Sequence, residues 1–131
     1  MKNITKLLKM HDFKTLYELL KNNEYRYSLE GFDRDFKKNI SSDKFSYLVY
    51  LNAREKSVKN ILLLCDFLLY TDTFFYDIHP VIYDYLHQGL SMFPTDKQLL
   101  NWIISVYENH PDSPFDSSEI EKIKLAFKNN N

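Results

Sequence analysis

The 131-residue chain reads as an all-α protein, with six or seven short helices packed as antiparallel hairpins in a solenoid-like or irregular bundle. Periodicity is the first reason: apolar residues recur three and four apart through most of the chain, the spacing of helices with one buried face. Glycine is the second. Only Gly31 and Gly89 occur, and no Asn-Gly or Asp-Gly pair marks a tight hairpin turn. The third is punctuation, since Ser, Asn, Asp and Pro gather in short polar stretches between the apolar stripes. With 44% apolar residues the chain has ample material for a core. Length predicts one domain over 1–131, with 129–131 a polar tail, burying about two thirds of its unfolded surface.

Each element has its own signal. Ile4, Leu7 and Leu8 open a short apolar stripe. Asp12 is placed to cap a helix bearing Phe13, Leu16, Tyr17, Leu19 and Leu20, which fades at Asn22 and Asn23. Tyr25, Leu29, Phe32 and Phe36 predict a helix near 26–38, with Gly31 inside it. Ser41 or Ser42 is expected to cap the next helix, striped by Phe45, Leu48, Val49 and Leu51 and broken at Arg54-Glu55-Lys56-Ser57. Val58 to Tyr70 is the most apolar stretch, with Val58, Ile61, Leu62, Leu64, Cys65, Leu68 and Leu69 leaving little polar face. It is therefore the expected central helix.

Thr71 to His79 reads as a loop. Pro80 suits a first helical turn, where a missing amide hydrogen costs nothing. The helix it opens carries Ile82, Tyr85, Leu86, Gly89, Leu90 and Phe93 and ends at Pro94. Thr95 with Gln98 predicts a capping box for a helix with Leu99, Leu100, Ile103, Val106 and Tyr107, which stops before Pro111. Ser117 or Ser118 starts a last helix with Ile120, Ile123, Leu125 and Phe127.

Within this pattern, Gly89-Leu90-Ser91-Met92-Phe93-Pro94-Thr95-Asp96, followed by Ile103 and Tyr107, resembles the junction between tetratricopeptide repeats. The resemblance spans residues 80–109. Ile82 and Ile104 are bulky where that family places small residues, and the 71–79 loop is too long for a standard repeat. What the resemblance implies is stacked helical hairpins, not a repeat array with that family's peptide groove.

Residues able to carry chemistry are sparse. Closely spaced glycines that cradle phosphate are absent. The single cysteine, Cys65, excludes an internal disulfide and a cysteine-rich zinc site, and its apolar helix makes it a core residue rather than a nucleophile. His11-Asp12 reads as a helix start. Asp84 and His87 lie three apart on one helical face, and the other candidate ligands, Asp77 and His79, lie across Pro80. A metal site needs three or four ligands, so a solvated polar face is expected there, with no metal and no cofactor. No catalytic residues stand out, and the chain reads as a non-enzyme without a small-molecule substrate. The apolar run Ile61 to Leu64 is far short of a membrane span, and the N-terminus is expected to carry no secretory signal. A cytoplasmic, bacterial-style protein with no membrane partner is the expectation.

Charge is the informative feature. Between residues 60 and 119 one basic residue, Lys97, faces nine acidic ones, whereas residues 1–59 hold thirteen Lys and Arg against eight Asp and Glu. Tyr70, Tyr76, Tyr83, Tyr85 and Tyr107 are threaded through the acidic part. Acid mixed with Tyr suits a basic protein partner, because charge steers the encounter and rigid rings supply contact area. The candidate partner-binding residues are Asp66, Asp72, Tyr76, Asp77, Tyr83, Asp84, His87 and Glu108. The basic half argues weakly for nucleic acid: its lysines are interspersed with acids, no arginine-rich stripe forms, and the pI is near 6.4.

In size and charge character the chain resembles the small all-α immunity proteins that bacteria encode beside secreted toxins. That resemblance implies an inhibitor that occludes the active site of a basic toxin, many such toxins acting on nucleic acid. Carboxylates would replace substrate phosphates against toxin Lys and Arg, with Tyr76, Tyr83 and Tyr85 as anchors. Two readings compete with it. One is a helical-hairpin adaptor holding a peptide between stacked helices; the other is a DNA-associated regulator that uses the basic N-terminal half.

Overall fold

The computed structural model describes residues 3–21, 28–71 and 77–130, and these form eight helices and no strand. The expected all-α class holds. The stripe at Ile4 folds as a helix in its own right, which brings the number to eight. The chain gathers into two compact units, Met1–Phe74 and Phe75–Asn131.

The first unit contains α1 (Ile4–Lys9), α2 (Phe13–Leu20), α3 (Leu29–Phe36), α4 (Ser41–Arg54) and α5 (Val58–Tyr70). Side-chain oxygens start most of them: Asn3 accepts from the Lys6 amide, Asp12 from Thr15, Ser28 from Gly31 and Ser57 from Asn60. Each satisfies an amide that the first helical turn leaves without a partner. Because Ser28 is the cap, α3 begins at Leu29, later than the 26–38 span predicts. Ser41 and Ser42 do not cap α4. They lie inside its first turn, and the cap position falls to Ile40, which offers no side-chain hydrogen bond.

α4 packs on α5, α1 touches α2, α3 and α4, and α3 also meets α5. The unit's core includes Leu8, Leu16, Phe32, Phe36, Tyr47, Leu48 and Leu51, with Ile61 to Cys65, Phe67 and Leu68 buried along α5. Burial on nearly every side of α5 makes it the central helix, each fully buried Leu being worth roughly 1.5–3 kcal/mol. The break between α4 and α5 is stitched by amides. Asn52 Nδ2 donates to the Leu48 and Asn60 carbonyls at 2.9 and 3.0 Å, and Asn60 Nδ2 donates to the Glu55 carbonyl at 2.8 Å. These side chains are buried because they replace hydrogen bonds that the interrupted helix cannot make.

The second unit contains α6 (His79–Met92), α7 (Lys97–Tyr107) and α8 (Ser117–Asn129), with α7 packed against both others. Ile82, Leu86, Leu99, Leu100, Ile103, Tyr107, Phe115, Ile120 and Ile123 form its core. Pro80 occupies the first turn of α6 as expected. The expected Thr95–Gln98 box does not form. Asp96 caps α7 instead, its Oδ1 accepting from the Leu99 amide at 3.0 Å. A reciprocal box occurs at α8, where Asp116 accepts from the Glu119 amide at 2.8 Å and Glu119 Oε1 from the Asp116 amide at 3.1 Å. Ser117 and Ser118 thus follow the cap rather than supply it. No described helix is long and apolar enough to cross a membrane.

Candidate functional site

Charge and compactness coincide in the second unit, where eight acidic side chains, from Asp77 to Glu121, face four lysines. Tyr83 and His87 lie four apart on α6 and so project side by side. Their rings stand 4.3 Å apart, and Phe115, just ahead of α8, packs 4.8 Å from Tyr83 and 6.0 Å from His87. Both polar ends converge on one carboxylate. The Tyr83 hydroxyl donates to Glu119 Oε2 at 2.6 Å, and His87 Nε2 lies 3.0 Å from the same oxygen.

With the Asp116 amide on its other oxygen, Glu119 is a fully engaged hub. Burial pushes its carboxyl upward, but the hydrogen bonds from Tyr83, Asp116 and His87 together outweigh that and hold it below the ordinary carboxylate value. The hydrogen bond to Glu119, aided by burial, pushes the Tyr83 phenol up to about 12. Asp84 follows Tyr83 on α6, exposed and in no ion pair among the described residues. The arrangement is a rigid aromatic patch with an unneutralised carboxylate beside it.

The other predicted residues are placed differently. Asp77 is exposed ahead of α6, and its Oδ1 accepts from the His79 amide at 3.1 Å. Glu108 is already matched, its Oε2 lying 2.7 Å from Lys124 Nζ. Asp66 is half-buried on α5 of the first unit. Asp72 and Tyr76 lie outside the described residues. Among the tyrosines of the acidic stretch, Tyr107 is a core residue, 1% exposed. Cys65 is fully buried and burial pushes its thiol up, which leaves it unreactive.

No protein-family model, curated protein or solved structure matches this chain. The site therefore rests on its own geometry. Sequence spacing grouped Tyr83, Asp84 and His87 but missed the residues that organise them, Glu119 and Phe115. The available signal was Asp116-x-x-Glu119, the spacing of a capping box, which marks Glu119 as a structural carboxylate and brings it to the start of α8.

Two further features stand out in this unit. An apolar hollow of about 390 Å³ lies along α7 and α8, where Ile104, Leu125 and Phe127 form the floor and Glu121, Lys124 and Lys128 the rim. Separately, His79, His110 and Asp112 each bring a ligand-type atom to within 4.8 Å of the others. The sequence had set His79 beside Asp77 and Asp84 beside His87, and neither pair forms a metal-type cluster among the described residues.

Proposed function

We propose that the Phe75–Asn131 unit docks a basic protein through the exposed flank of α6, and that the chain is an inhibitor of the immunity-protein kind. Supporting this reading is Asp84, an unneutralised carboxylate beside the Tyr83 and His87 rings, which Phe115 backs from the core. Tyr83 and His87, already held by Glu119, lose little freedom on binding, which favours affinity through pre-organisation. Asp84, with Asp77 at the start of the same helix, steers a cationic partner and accepts its Arg or Lys donors, Arg most effectively because its fork matches a carboxylate. Asp and Glu would then stand where a toxin otherwise holds substrate phosphates, and inhibition is occlusion.

The test is capture of partners from the source cells by the wild type and by Asp84→Lys, at low and high salt. One basic protein is expected, held by the wild type at low salt and lost in the variant and at high salt. Capture indifferent to both changes would overturn the proposal. That outcome would favour the second reading, a peptide adaptor, for which the apolar hollow at Leu125 is the specific support, with Leu125 58% exposed.

A further inference from the structure

We propose that His79, His110 and Asp112 form a binding site for a divalent transition-metal ion of the zinc type. Two imidazoles and one carboxylate are the donor set such ions favour, and three protein ligands leave a fourth position for water. The donors come from separate parts of the second unit: His79 is the first residue of α6, while His110 and Asp112 lie in the connection between α7 and α8. Their atoms stand within 4.8 Å of one another. With bonds of ~2.0–2.2 Å, tetrahedral donors sit roughly 3.3–3.6 Å apart, so closing the site needs a movement of about 1 Å. Asp112 can supply it, since it is exposed and in no ion pair among the described residues.

The surroundings fit a metal-binding role for each ring. His79 Nδ1 lies 2.8 Å from the Tyr107 hydroxyl. When that nitrogen carries the proton and donates to Tyr107, Nε2 keeps its lone pair for the ion, the arrangement that orients metal-bound histidines. Tyr107 is buried and its ring packs 5.6 Å from His79 and 5.7 Å from His110, which holds both imidazoles in place. The His79 and His110 rings are themselves 4.8 Å apart.

His110 Nδ1 accepts the Asp112 amide at 3.0 Å, so in the neutral ring this nitrogen holds the lone pair. The ion takes that lone pair in exchange for the amide, which turns to solvent, and the carboxylate of the same residue closes the site. His110 also lines a polar hollow of about 420 Å³ with Glu108, Ser113 and Ser117, a path for a hydrated ion.

The test is calorimetric titration of the untagged full chain with Zn²⁺, comparing wild type, His79→Ala, His110→Ala, Tyr107→Phe and His87→Ala, each verified as folded by circular dichroism. Wild type should take up about one ion per chain. Loss of either ligand histidine should weaken binding at least tenfold, Tyr107→Phe by roughly tenfold, and His87→Ala not at all. The Asp112 amide resonance should also shift on zinc addition. Absence of saturable uptake, or uptake that survives both ligand substitutions, would overturn the site. A ligand variant that unfolds is replaced by Asp112→Asn, whose exposed side chain is not needed for packing, and unchanged affinity there would count equally against it.

Discussion

Tyr83 carries a signature that spectroscopy can read. Its hydroxyl donates to Glu119 Oε2 at 2.6 Å, and that bond, with burial, raises its ionisation to about 12. A phenol ordinarily ionises near about 10. Because the folded value is the higher one, the fold favours the neutral phenol. Its stabilising contribution is fully present below the ordinary value and disappears as pH rises from there toward about 12. The ultraviolet difference titration of wild type against Tyr83→Phe should show a tyrosine ionising near about 12, and a transition at the ordinary value would mean that the bond is absent. Tyr83 and His87 were legible in the sequence because residues four apart share a helix face. Glu119 was not, because it is 36 residues from Tyr83 and reaches it only through the placement of α8.

Helix starts show how much local chemistry a sequence discloses. Asp12, Pro80 and the break at 54–57 could be read directly, and the structure places each as expected. Failures came where several capping residues adjoin. At Pro94-Thr95-Asp96 both Thr95 and Asp96 can cap, and the choice depends on which backbone takes the extended conformation. Asp96 does, at φ −68° and ψ 119°. At Asp116-Ser117-Ser118 the same ambiguity is settled by Glu119, whose side chain returns to the Asp116 amide. A paired substitution tests the first assignment. Asp96→Ala should cost ~1 kcal/mol in urea unfolding, whereas Thr95→Ala, on an exposed residue with no capping bond, should fall within about 0.5 kcal/mol of wild type. Trp102, the only tryptophan, lies on α7 and gives the fluorescence readout. Equal costs, or a larger one at Thr95, would move the cap.

Across the chain, the helical class was written in the apolar period, while the charge division visible in the sequence does not coincide with the boundary between the compact units. Counting along the sequence puts the change of sign near Asn60, yet α5, with Asp66, belongs to the first compact unit, and the acidic unit begins at Phe75. Apolar burial assigns α5, and a charge count cannot see burial. Charge read along a sequence tells which carboxylates are present, and the fold tells which of them stay without a cationic neighbour among the described residues. Asp84 fits that description, whereas Lys124 holds Glu108, a pairing between α7's end and α8 that depends on their packing.

If the second unit steers a cationic protein, its rate of association must depend on salt. Exposed charges are screened within about 8–10 Å at moderate ionic strength, and steering can raise association rates by roughly ten- to a thousandfold. The decisive measurement is the association rate of the captured partner with wild type and with Asp84→Lys across a salt series. The predicted result is a wild-type rate that falls at least about tenfold from low to high salt, with the variant slower at low salt and nearly flat. Equal rates for both proteins, unchanged by salt, would contradict a role for the acidic flank of α6.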